Sequence, residues 1–428
     1  MNVEADIRRG ADWLASDDGA TWMFRAALAV SCVLLYVVGR KQWFTADDWA
    51  FVFTRERFHR AGGLGDMLFR AQDGHWMTIP IIVFRVIKAV FGTGSYWPYL
   101  IPTMVCHLAT AVMLRRLCLR VGVRPWTATI LASMLAVFGS GWENIVFAIQ
   151  IVYNLSLLAF LVHVTLIDHD GPPDRRDALG AIAGLIAVSS SGFGPFFILG
   201  VATFTVMRRR WRAALIAVVP MALAEAWWWL FWGQDPAGES LRGSRAEIPA
   251  YVRRGLEAVF QDLTSMASLV GISMIATVAV LLWRRRDATS HDVLFSLALT
   301  SVAIYVGLAI QRGGLGVDNA ASARYAYVGA VLLIPAFGVA VDLLGRVAPP
   351  ALWAGYLVLG GATAVNIGAL VSNGDEWAAR SGGERTLLAL VAASPLLATV
   401  DQNIAPLYPA SPDVRVGDIA ELVDDGAI

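Results

Sequence analysis

Apolar runs recur along the chain at lengths that suit helices crossing a bilayer. A span takes about 20 apolar residues to cross a hydrocarbon core of about 30 Å. Runs of this kind lie at 23–38, 96–114, 126–141, 145–167, 178–190, 193–206, 213–232, 264–283, 293–311, 325–344 and 351–371. They predict an all-α polytopic membrane protein with about eleven transmembrane helices. One further run, 79–91, is thirteen residues long and carries Arg85 and Lys88 three apart. At 1.5 Å per residue it reaches only about 20 Å, so it predicts an amphipathic helix lying along the membrane surface. Ser189-Ser190-Ser191-Gly192-Phe193-Gly194-Pro195 breaks two short runs apart, which reads as a pair of half-embedded helices.

Arginine orients these spans. With the N-terminus inside, the turns at 115–124, 168–177, 208–212 and 284–287 and the turn at Arg346 fall on the cytoplasmic side, and they hold the basic clusters. Arg40 and Lys41, directly after the first span, break the pattern. Three outer regions are long: 39–95, 233–263 and 372–428. The predicted organisation is a membrane module over 1–371, with its chemistry in the 39–95 loop, and a small outer tail over 372–428. The tail is too short to bury much of a core alone and is expected to dock on the outer loops.

Composition agrees with this picture. Of 428 residues, 57% are hydrophobic and only 16% charged, and mean hydropathy is +0.58; soluble domains carry nearer a quarter charged residues. Sixteen Trp, many at the ends of apolar runs, fit aromatic belts at the two interfaces. A net charge of zero, with no basic domain, argues against nucleic acid as a partner. Cys32, Cys106 and Cys118 show neither a disulfide framework nor metal-ligand spacing. The polar stretch ahead of the first run does not read as a cleaved signal peptide.

Against this hydrocarbon background the polar groups near span ends stand out. The stretch 43–80 carries Asp47, Asp48, Asp73 and His75. Acids and an imidazole beside a membrane are costly unless water or ligand solvates them. Adjacent carboxylates also repel, so one of Asp47 and Asp48 holds its proton more tightly, as suits a general base. A polar turn that merely ends a helix is the plainer reading of the same residues. Glu143, Gln150 and Asn154 are seven and eleven apart and would share a face if one helix ran through them, with Asn144 beside Glu143. Arg312 closes one span, and Arg324 and Tyr325 open the next. A guanidinium there can grip a phosphate bidentately, or simply snorkel to headgroups. Glu225 is a lone acid ahead of Trp227, Trp228 and Trp229. The chain has no dinucleotide fingerprint, P-loop or zincin motif.

Four features together resemble the GT-C superfamily of polyprenyl-phosphate-sugar-dependent glycosyltransferases. The acidic pair Asp47 and Asp48 follows the first span, and His75 through Pro80 leads into a helix ending Val90-Phe91-Gly92. A span then ends in Arg115-Arg116-Leu117, and Ser322-Ala323-Arg324-Tyr325 opens a late one. The likeness covers the membrane region and is strongest over 40–160. It implies an integral membrane enzyme of a bacterial inner (plasma) membrane whose site faces the periplasm or exterior. The implied partners are a polyprenyl-phosphate-linked sugar donor, membrane lipid, and a glycan, lipid or protein acceptor of the cell envelope. The implied base is Asp47 or Asp48, with Asp47 favoured directly after the span. Arg324 would neutralise the leaving phosphate and His75 would orient the acceptor or hold the phosphate; Glu143, Asn144, Gln150, Arg312 and Tyr325 complete the expected binding set. Some members use a divalent cation, Mg or Mn; Asp47, Asp48 and His75 could supply ligands, but no spacing fixes them and no metal site is assigned. A transporter or flippase of lipid-linked saccharide is the other class that needs polar groups between spans.

Overall fold

Ser16 starts the first helix by accepting the N–H of Gly19 at 3.1 Å, and Asp17 and Asp18 place negative charge in its first turn. The computed structural model describes residues 16–233, 241–283 and 289–428; the predicted cytoplasmic turn at 284–287 lies outside them. Seventeen α-helices follow in order, joined by short turns and 3₁₀ segments, with no named strand among the described residues. They are α1 (Asp17–Gly39), α2 (Arg55–Phe69), α3 (Thr78–Phe91), α4 (Trp97–Arg120), α5 (Pro125–Ala136) and α6 (Glu143–Val146). Next come α7 (Ile151–Ile167), α8 (Arg175–Val188), α9 (Gly194–Met207), α10 (Trp211–Ala217), α11 (Val219–Phe231) and α12 (Ile248–Thr264). The last are α13 (Ala267–Leu282), α14 (Thr289–Arg312), α15 (Ala323–Val347), α16 (Pro349–Ala392) and α17 (Ile419–Asp424).

Among the described residues seven helices are long and apolar enough to cross a membrane. The count is eight if the pair Arg245–Thr264 and Ala267–Leu282, bent by 110°, is one broken span. The difference from eleven has identifiable sources. The runs at 126–141, 178–190 and 193–206 become helices of 12, 14 and 14 residues. The run at 264–283 is only the second leg of the bent pair, which turns at Ser265, a residue with φ +52°.

Two polar ends give the bundle its polarity. At one end Arg120 and Arg208 both grip Asp168, Arg208 also meets Asp292 at 3.3 Å, and Arg210 meets Asp177 at 3.2 Å. All but Asp292 come from the turns that the arginine pattern assigns to the cytoplasm. From this end α8 climbs to Ser189, whose carbonyl accepts the N–H of Ile79 at 3.2 Å, and α7 descends to it from Gln150. The opposite end therefore carries the 39–95 loop. Lys41, which violates the charge rule, pairs there with Asp375 at 2.7 Å.

α3 measures about 21 Å at 1.5 Å per residue. Its two cations do not spread toward headgroups; both reach Glu56 on α2, Arg85 at 3.2 Å and Lys88 at 3.0 Å. Lys88 also meets Glu421 on α17 at 2.6 Å. The exposed face is instead the apolar row Ile82, Val86 and Val90, spaced four apart. α16 is a single helix of 44 residues that runs far past 371 before the chain turns back. Beyond it the tail docks on the first outer loop: Thr54 donates to Asp413 at 2.5 Å, Arg57 pairs with Asp418 at 2.8 Å, and Asp425 accepts from Thr93 at 2.6 Å.

Candidate active site

The acidic pair sits in a turn fixed by aromatic packing. Trp43 lies 5.3 Å from Trp49, and Phe44 packs edge-on against Tyr96 at 4.8 Å and Tyr99 at 4.9 Å, ring to ring. These rings bury most of the turn, and Asp48 goes in with them. Asp48 is fully buried and accepts three hydrogen bonds: from Tyr96 Oη at 2.8 Å, Ile149 N at 3.1 Å and Thr45 N at 3.4 Å. Tyr96 Oη in turn accepts the N–H of Ala148 at 2.8 Å. Asp48 thus ties the first loop to the segment entering α7. Burial raises its pKa well above the usual range, against the pull of those three donors.

Asp47 faces the other way. Ala46 has φ +48°, and this left-handed residue swings the next side chain out of the aromatic cluster. Asp47 opens into a recess of 180 Å³ that also takes in Asp73, His75, Gln150, Arg312, Arg324 and Tyr325. Burial raises the Asp47 pKa first, and the Asp73 and Asp413 carboxylates raise it further; Arg324 and Arg312 pull it down, and the balance is upward.

The second wall is a tight hairpin. Gln72 and His75 exchange backbone hydrogen bonds of 3.2 and 2.9 Å, and between them Asp73 and Gly74 have φ +52° and +77°. An Asp-Gly pair is the natural occupant of such a turn, since both central residues need positive φ. Arg55, fully buried, holds the approach by donating to Arg70 O at 2.7 Å and Gln72 Oε1 at 3.3 Å. His75 then lies against Gly192, where an added Cβ would meet its Nδ1 at 2.0 Å. The Ser-rich break between α8 and α9 is therefore a seat for His75.

The third wall comes from 148–154, and here the one-face expectation fails. The chain is extended at Phe147 (φ −113°, ψ 116°), so Glu143 lies on α6 and Gln150 at the start of α7. Gln150 reaches the recess. Asn154 donates instead to Thr103 O at 3.1 Å and Asn144 O at 2.6 Å, fastening the kink. The fourth wall is the end of α14 and the start of α15. Arg312 Nη2 lies 3.5 Å from both Asp73 O and His75 Nε2, and Arg324 pairs with Glu143 at 3.0 Å.

Of the residues expected to form the site, Asp47, His75, Gln150, Arg312, Arg324 and Tyr325 line one recess, and Asp48, Glu143 and Asn144 do not. Asp48 is withheld by its three donors. Glu143 acts on the recess through Arg324, and Asn144 is fully buried behind it. Asp73, Tyr153 and Asn319, outside the expected set, also line it. The Asp-Gly turn could have drawn attention to Asp73, and Tyr153 lies one turn beyond Gln150. Asp47, Asp73 and His75 do not gather three ligating atoms at metal-binding distance; among the described residues only His169, Asp174 and Asp177 do, at the other end, where Arg210 already lies 3.2 Å from Asp177. Glu225 is nearby, its carboxylate 2.6 Å from where a Cβ on Gly194 would stand.

As a whole the helical architecture matches the polytopic GT-C fold. The crystal structure of ArnT from Cupriavidus metallidurans in the apo state is similar, with TM-score 0.50 and 16% identity over 90% of this chain and 66% of that one. A structure of the same protein bound to undecaprenyl phosphate gives TM-score 0.47 and 15% identity over 88% and 66%. The chain thus spans just under two thirds of the length of ArnT. No family model and no curated protein sequence matches it.

Proposed function

We propose that the chain is a glycosyltransferase that moves a sugar from a polyprenyl-phosphate donor to an acceptor hydroxyl on the outer side of the membrane. The observation that carries this reading is the meeting of the Asp47 carboxylate, with Asp73 beside it, and two guanidiniums, Arg312 and Arg324, in one recess. The acceptor oxygen attacks the anomeric carbon while Asp47 takes its proton, and the bond from that carbon to the phosphate oxygen breaks. The departing polyprenyl phosphate keeps the electron pair, and the arginines offset its charge. Glu143 holds Arg324 in place, and Arg312 steadies the His75 turn. Acid and cations converge at one end of the bundle, which favours transfer over transport. Transport would place its site near mid-depth between paired broken helices.

The test uses the purified chain with undecaprenyl-phosphate-linked hexoses and pentoses and envelope acceptors. Asp47→Asn is expected to lower turnover by about 10²- to 10⁴-fold, the usual worth of a general base. Arg324→Ala is expected to lose more than Arg324→Lys, which keeps the charge without the planar fork. Full activity of folded Asp47→Asn would overturn the assignment.

A further inference from the structure

The turn that presents Asp47 is closed locally, Thr45 O accepting from Asp48 N at 3.2 Å and Ala46 O from Trp49 N at 3.4 Å, and it is also held from a distant part of the chain. Ala46, in its left-handed conformation, donates its N–H to Ser411 Oγ at 2.7 Å, across 365 residues of chain. The Ser411 hydroxyl has one hydrogen, and it goes to Glu384 Oε2 at 2.7 Å. A carboxylate only accepts, so Glu384 fixes the direction of that hydrogen and leaves the oxygen's lone pairs facing Ala46. Ser411 is fully buried and Glu384 nearly so, and Arg380 lies 3.5 Å from the second oxygen of Glu384. The Ser411 segment is itself pinned at the far side of the turn. Thr54 reaches Asp413 Oδ1 at 2.5 Å, and Arg57 reaches Asp413 O at 2.6 Å.

We propose that Ser411 and Glu384 are positioning residues for the transfer reaction. The chain of hydrogen bonds from Glu384 through Ser411 to Ala46 holds the left-handed turn, and the turn sets where the Asp47 carboxylate meets the acceptor. This role rests on Asp47 being the base. A non-glycine residue keeps positive φ only when its surroundings over-determine it, and here the Ser411 hydroxyl from the tail adds to the turn's own hydrogen bonds and takes the Ala46 N–H itself. Glycine would hold the same φ without that help.

The experiment compares the full-length wild type, Ser411→Ala, Ser411→Cys and Ser411→Ala/Ala46→Gly in detergent. Hydrogen exchange is read over residues 43–49, and turnover on undecaprenyl-phosphate-linked sugars beside it. Ser411→Ala is expected to exchange at least about tenfold faster there. Its kcat should fall about 10- to 100-fold, the range for a misplacement of about 1 Å, with KM for the donor nearly unchanged. Adding Ala46→Gly should recover most of the lost kcat, which a merely structural role for Ser411 would not allow. Ser411→Cys, nearly isosteric but a weak acceptor, should fold and show the same direction of change. Wild-type exchange and kcat in Ser411→Ala and Ser411→Cys would overturn the proposal, as would a kcat loss that Ala46→Gly leaves untouched. Asp47→Asn run alongside separates the two assignments. If it is fully active, the base is wrong and the positioning role falls with it; if it is silent while the Ser411 variants behave as wild type, only the positioning role falls.

Discussion

Two adjacent carboxylates with opposite surroundings should respond differently to the same substitution. Asp48→Asn places an amide N–H₂ among three donors and leaves at least one buried group unpaired, which costs about 1–3 kcal/mol. Its melting temperature in detergent should drop while Asp47→Asn melts as wild type; equal melting temperatures for the two would contradict the partition. The pH dependence follows from the neighbours of Asp47. A base works only when deprotonated, and burial together with Asp73 raises the Asp47 pKa, so turnover should fall on the acid side at a pH above the usual carboxylate range. Asp73→Asn removes one repulsion, lowers that pKa, and should move the acid limb to lower pH. An acid limb that stays put would show that another group controls it. Sequence alone could place the acidic pair at the end of the first span and no further. Which member is free depends on the sign of one φ angle at Ala46 and on a tyrosine 48 residues away. The Gly192 seat was equally hidden, because its occupant, His75, comes from another loop.

At the scale of elements, amphipathic length was the legible signal. A run of thirteen residues was too short to cross, and the structure gives a helix of 14. Which face it turns outward was not legible, since its basic pair is consumed by Glu56. Burial pushes the Glu56 pKa up, but hydrogen bonds from Lys88, Arg60 and Arg85 outweigh it and bring the group down to about 2. Its folded pKa lies below the unfolded value of about 4.3, so its contribution is present above that pH and is lost as pH falls toward 2. Glu56→Gln should cost on the order of 1 kcal/mol at pH 7, since the carboxylate is partly exposed, and the gap from wild type should close as the pH approaches 2. A gap of the same size at both pH values would sink this account. Spans 126–141, 178–190 and 193–206 show the limit of reading hydropathy alone. The first window runs a 12-residue helix on into the turn at 137–141, and the other two flank the Ser-rich break that seats His75, so each helix is shorter than a span.

On the scale of the whole molecule, the arginine pattern groups turns that come together in space. Five residues of those turns, Arg120, Asp168, Asp177, Arg208 and Arg210, pair at one end, opposite the recess. This predicts that Thr399→Cys, on the exposed tail, reacts with a membrane-impermeant thiol reagent in intact cells. Asp170→Cys, at the arginine end, should react only after permeabilisation. The reverse result would turn the site to the cytoplasm. The hydrogen bond from Ala46 to Ser411 also sets an order of events during synthesis. The first outer loop emerges early, yet the Ala46 N–H cannot find this partner until residue 411, 365 positions further on, has been made. A chain that lacks residue 411 can therefore have its helices inserted while the Ala46 turn still lacks this hydrogen bond.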